Sequence, residues 1–188
     1  MGGVINGDTA LINQTAMATF DEVFDAIKKW TDNFEDKCFE CMDSNQSVFV
    51  RAIREQMYSG LKGDGTHITP SYDDDPFFEE PGMWYHGSNR YKAWKGEITP
   101  PEPGDMLGLP PRPYDTPNLF INGKFHSEVY SQKGDRQIEV KVEESGDGPD
   151  IVGKYGEELL DIGGRATEYF NETYLEPHLQ DFFNDCGL

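Results

Sequence analysis

Between residues 62 and 117 the chain concentrates most of its 12 prolines. Neither a helix interior nor a central strand accepts them, because proline lacks the backbone N–H and its ring crowds the preceding turn. This stretch must therefore be ordered by side-chain packing or by a neighbour. A loop of such length within a domain is normally functional or partner-bound. It also holds Asp73-Asp74-Asp75 and a dense set of large side chains: Phe77, Phe78, Met83, Trp84, Tyr85, Tyr91 and Trp94. One short helix is expected inside it, from Ser88 to about Gly96. The stretches Pro100-Pro101-Glu102-Pro103 and Pro110-Pro111-Arg112-Pro113 favour extended polyproline geometry.

The flanking segments read more simply. Residues 1–18 are small and polar and form an N-terminal arm. Thr19 and Glu22 have the spacing of a capping box, which starts a helix. Phe20, Val23, Phe24, Ile27, Trp30 and Phe34 follow as an apolar stripe. Asp43-Ser44-Asn45 breaks it, and Val50, Ile53, Met57 and Leu61 mark a second helix that ends near Gly60, Gly63 and Gly65. The two helices read as a hairpin. Leu119-Phe120-Ile121, Asn122-Gly123 and Lys124-Phe125 read as a β-hairpin, since Asn-Gly supplies the positive φ of a type I′ turn. A second strand is expected at about 125–131. A third carries Ile138, Val140 and Val142 on one face and Glu139, Lys141 and Glu143 on the other. Ile151 to Ile162 reads as a short helix holding Gly153 and Gly156, and a final helix runs from about Gly164 to Cys186 with a bend at Pro177. Its two apolar sides, Leu175-Leu179-Phe182-Cys186 and Phe170-Tyr174-His178, imply contact with the core and with another chain. The fold class is α+β: an N-terminal helical hairpin, a small antiparallel β-meander packed with C-terminal helices, and the long Pro-rich loop. Residues 19–188 form a single domain.

Charge narrows the function. Thirty-five acids against 16 bases in 188 residues give a net charge of −19, the opposite of a phosphate-backbone binder. The aromatic content of 13% argues against an acidic disordered chain. No apolar run approaches the roughly 20 residues of a bilayer-spanning helix, so no membrane is expected, and no secretory leader is visible in the first 25 residues. Three cysteines fit a reducing compartment better than a disulfide framework. Cys38-Phe39-Glu40-Cys41 has no second pair to complete a zinc site. The acids at 73–75, Glu79 and Glu80 lack the ligand alternation of an EF-hand and read as a solvated loop. His67, His86, His126 and His178 show no metalloprotease spacing. No catalytic residue, cofactor or metal is expected.

The order of motifs brings a resemblance. Ile68-Thr69-Pro70-Ser71-Tyr72, Asp75-Pro76-Phe77-Phe78 and Tyr91-Lys92-Ala93-Trp94-Lys95 are followed by Thr116-Pro117-Asn118-Leu119-Phe120-Ile121-Asn122-Gly123-Lys124-Phe125-His126. Strands, Tyr155-Gly156-Glu157-Glu158-Leu159-Leu160 and an end helix complete the series. Across roughly residues 45–188 this resembles small virion proteins of tailed bacteriophages of Bacteroidales, the crAss-like phages among them. More loosely, it resembles tail-completion and head–tail joining proteins. The resemblance implies a noncatalytic subunit of a ring in the neck or upper tail, assembled in the host bacterial cytoplasm. It implies a homo-oligomer, twelve copies in preference to six, that meets the portal, an adjacent ring or tail proteins. Genomic DNA would pass by without specific binding, past a negative lumen that repels its backbone.

The residue reading adds candidate subunit contacts: the aromatics Phe77, Phe78, Trp84, Tyr85, Tyr91, Trp94, Phe170 and Tyr174, and the bases Arg51, Arg54, Lys124 and Arg136. The bases would offset self-repulsion between copies. Two other classes compete: a monomeric acidic module that mimics DNA or inhibits a basic partner, and a carboxylate hydrolase.

Overall fold

The computed structural model describes residues 18–98 and 106–188. Most of the N-terminal arm and the Pro100–Pro103 stretch lie outside the described residues. Helix α1 spans Phe20–Ser44, and its capping box is formed: the Thr19 N–H donates to Glu22 Oε2 at 2.7 Å, and the Glu22 N–H to Thr19 Oγ1 at 3.3 Å. Asn45 ends it, its side-chain amide donating to the Cys41 carbonyl at 2.8 Å. Helix α2, Gln46–Tyr58, begins at once. The two are not the folded hairpin expected from their tight connection. α1 packs on the C-terminal helix, whereas α2 packs on the sheet.

Ile53 and Met57 of α2 have no exposed surface and meet Phe125 and Val129. A second side of the helix is also buried, through Ala52 against Leu107 and Ala166. The polar residues between are satisfied rather than solvated. Glu55 Oε2 accepts the Leu107 N–H at 3.1 Å. Gln56 donates to the Asp161 carbonyl at 3.0 Å and accepts the Gly163 N–H at 2.9 Å. At the end of α2 Gly60 takes φ of 70°, and a Cβ there would stand 2.7 Å from Thr116 Cγ2, so glycine is required on both counts.

Among the described residues the sheet has two strands, not three. β1 (Val129–Lys133) and β2 (Ile138–Val142) pair antiparallel with Val129 opposite Val142. The Asn-Gly dipeptide turns the chain into helix α4 (Lys124–Glu128), where the sequence had implied a strand. Gly123 does adopt φ of 82°, but Asn122 Oδ1 accepts the Lys124 N–H at 3.0 Å, as a turn into a helix does. The downstream spacing explains the choice. Phe125, His126 and Val129 are all buried, and a helical turn keeps the three on one side, whereas a strand would send the adjacent Phe125 and His126 to opposite faces. Helix α3 (Ser88–Glu97) matches expectation. Helix α5 (Gly148–Tyr155) ends at Gly156, φ 99°, before a 3₁₀ turn at Glu157–Leu160.

The terminal segment is α6 (Gly164–Phe170), a π-helical turn at Asn171–Leu175, and α7 (Glu176–Asp185). The widened turn lies just before Pro177, whose ring would otherwise crowd the carbonyl one turn earlier. Both apolar sides of this segment are used inside the chain. Phe182 is buried in contact with α1, and Phe170 stacks on Phe49 of α2 with centroids 4.6 Å apart. The side that the sequence assigned to another chain is thus taken up by α2.

His126 is buried beside this core, its ring stacked on Tyr58 at 4.4 Å. Its Nε2 donates to the Asn118 carbonyl at 3.0 Å, and burial pulls the imidazole down to about 4. The unfolded chain takes up this proton near pH 6.5, whereas the native site refuses it until about 4. The contribution is intact above pH 6.5 and is lost progressively as the pH falls through that window, about 3 kcal/mol in all. His126→Leu flattens the pH dependence of urea stability between pH 6.5 and 4. Met57→Ala costs about 2–5 kcal/mol at any pH, read from the same denaturation curves.

Candidate assembly surface

α1 is longer than anything that covers it. The end of α7 reaches its middle: Lys29 Nζ donates to the Asp185 carbonyl at 3.2 Å, and Trp30 meets Phe183 edge-on at 6.1 Å. Ala26 is the last buried residue in the N-terminal direction. From there α1 runs on to Thr19 for about 10 Å at 1.5 Å per residue. Phe20 is 85% exposed and Phe24 59%, with Val23 and Ile27 also exposed. Their spacing places them on one stripe, and it is continuous with Trp30 and Phe34. Among the described residues nothing covers it. The sequence marked this stripe as apolar without saying what lies against it. Periodicity identifies an amphipathic face and carries no information on what lies against it. The nearest bases are Lys28, paired with Asp32, and Lys29.

The aromatic loop behaves differently. Tyr91 lies at the centre of a ring cluster, with Tyr72, Phe78, Trp84 and Trp94 at 5.1–5.3 Å between centroids. Phe78 is buried, Trp84, Tyr91 and Trp94 are half-buried, and Phe77 and Tyr85 remain exposed. Phe170 is buried and Tyr174 half-buried. Of the aromatics named as subunit contacts, Phe78 and Phe170 are therefore interior to the protomer and have almost no surface to offer. Phe77 and Tyr85, with Met83 beside them, keep an outward face.

Ionic ties fix this loop. Asp75 is buried, accepts the Phe77 N–H at 3.0 Å, and holds Lys154 Nζ at 2.6 and 2.8 Å. Asp73 holds Lys92 at 2.6 and 2.7 Å. Two of the three consecutive aspartates are thus spent on lysines. No group of three acidic, histidine or cysteine side chains converges to hold a metal among the described residues. Lys95 is buried, and its ammonium donates to Asn118 Oδ1 at 3.0 Å and to the Phe120 carbonyl. Burial pulls it down to about 8. Cys38 and Cys41 are free thiols, and burial pushes both upward, the reverse of a reactive pair.

The four bases named as contacts all have partners in their own chain. Arg51 pairs with Glu55 at 3.2 Å, and Arg54 donates to the Val129 carbonyl at 3.1 Å. Lys124 meets Asp147 at 3.3 Å and Glu128 at 3.6 Å. Arg136, at the tip of the β1–β2 turn with φ of 56°, ties it to Glu35 and Asp36 of α1 at 3.1 and 2.6 Å. Solvent screens the exposed pairs among these, which add little to stability.

Comparison with known proteins returned no matching protein-family model, curated protein or solved structure. No helix of the described residues is long and apolar enough to cross a membrane.

Lys95→Ala removes the donor to the Phe120 carbonyl and one of the two donors to Asn118 Oδ1, which keeps the Phe120 N–H at 3.2 Å. A loss of about 1–3 kcal/mol is expected, read from thermal unfolding, with faster proteolysis near residue 118.

Proposed function

We propose that this chain is a noncatalytic structural subunit that assembles with copies of itself. In this reading it forms a ring in the neck or upper tail of a tailed bacteriophage, linking portal to tail around the DNA channel. The observation that carries the self-assembly is the bare stripe on the first two turns of α1. A chain of net charge −19 repels its own copies, so a contact between them must draw on apolar burial more than on ion pairs. The stripe is the most exposed apolar helix face among the described residues, and Lys28 and Lys29 beside it offset some of the local acid excess. Exposed patches of this kind mark interaction sites in soluble proteins. The phage setting is supported by the motif order across residues 45–188. The negative surface also suits a passage through which DNA slides without adhering.

Light scattering after size exclusion, followed by electron microscopy, tests the reading. Mass at a multiple of 21.3 kDa and ring-shaped particles are expected. Phe20→Ser with Phe24→Ser reduces the assembly to protomers, because each contact loses two anchors. The protomer melting temperature stays unchanged, since neither side chain is buried. A wild-type protein that remains a monomer at every concentration contradicts the proposal and favours the acidic binding module.

A further inference from the structure

We propose that the outer edge of β2 is a strand-addition site for an extended segment of a partner protein that alternates apolar and basic residues. The inference stands on strand geometry and charge and does not depend on the phage setting.

The ladder shows which backbone groups are free. The flanking bonds, Gly134 N–H to the Gln137 carbonyl and Glu143 N–H to the Glu128 carbonyl, fix the parity. The odd-numbered residues of β2 direct their N–H and C=O toward β1. Ile138, Val140 and Val142 direct theirs to the other side, and among the described residues none of these groups has a partner. No proline and no bulge, two of the protections of a solvent-facing strand, blunts this edge, although the strand is short and carries Glu139 and Lys141.

Beside the edge runs a groove of about 690 Å³ between β2 and the segment 157–162. Val152, Leu160 and Ile162 line it, and these half-buried side chains also touch the main core. A strand laid along β2 would turn alternate side chains onto this apolar lining and expose the others. The exposed ones would meet Glu144, Glu157 and Asp161 at the groove margin. The one base in the groove, Lys141, is held by Glu139 at 2.7 Å. The margin is therefore acidic, and basic residues at alternate positions complement it. A second copy is a poor occupant, since it carries the same acid excess.

The test uses fluorescently labelled, capped heptapeptides on the full chain: one alternating lysine and valine, one with the same residues in two blocks, and one alternating glutamate and valine. The alternating basic peptide binds at least tenfold more tightly than either of the others. Val140→Pro abolishes that preference. It should fold, because the N–H it removes faces away from β1 and proline is accepted at such edge positions. On the wild-type protein, hydrogen exchange at the amides of Ile138, Val140 and Val142 slows when the alternating basic peptide is added. Equal binding of block and alternating basic peptides reduces the effect to charge and overturns the proposal. Unchanged exchange at those three amides overturns it too, as does self-association that Val140→Pro prevents. Failure here with intact ring assembly leaves the self-assembly reading standing, so the two are separable.

Discussion

The fold depends on the burial of α2 on more than one side, with only Ser47 and Arg51 of the helix exposed. Ile53 and Met57 hold the sheet and α4, while Ala52 holds the 107 segment and α6. Such a helix cannot be apolar all round and still connect to loops, so Glu55 and Gln56 are buried as hooks. Each accepts or donates to backbone groups of segments that have no ladder of their own. An unpaired backbone N–H or carbonyl in those positions would cost about 1–3 kcal/mol. Loop order in this chain is therefore bought with side-chain hydrogen bonds where a larger protein would use a third or fourth strand.

A core centred on one 13-residue helix is small for the chain around it. It covers the sheet, α4, the 107 segment and α6, and it does not reach the start of α1. The same economy leaves β2 with one ladder neighbour. Two kinds of unfinished surface result, one apolar and helical, the other a strand edge with an acidic margin. Their chemistry differs, and so do the partners that suit them. The charge of −19 unites the two: it disfavours ionic contact between copies and favours basic segments from elsewhere.

Local signals in the sequence were legible where the local and tertiary preferences agree. The capping box at Thr19 and Glu22, the α3 boundaries, the strand over Ile138–Val142 and the disturbance near Pro177 all appear as expected, although the five residues of that strand are all half-buried and do not alternate between a buried and a wet face. Asn122-Gly123 misled because a left-handed glycine serves a helix entry as well as a hairpin; what separates the two is the burial of the adjacent Phe125 and His126 on one side, which a half-buried strand does not allow. The hairpin of α1 and α2 failed for another reason. A one-residue connection constrains the angle between two helices but not their packing partners. The ring cluster around Tyr91 was also hidden, since it rests on ion pairs spanning 19 and 79 residues, Lys92 with Asp73 and Lys154 with Asp75.

The candidate contacts were less legible than the fold. With 35 acids for 16 bases, Arg51, Lys124 and Arg136 each find an acid within their own chain, so their basic character alone did not mark an interface. The exposed turns of α1 were visible as a stripe and invisible as a surface. A reconstruction of the assembled particle by electron microscopy tests the central claim most directly. The account predicts Phe20, Phe24 and Ile27 of each subunit enclosed against a neighbouring copy; an assembly in which these turns of α1 stand free in solvent contradicts it.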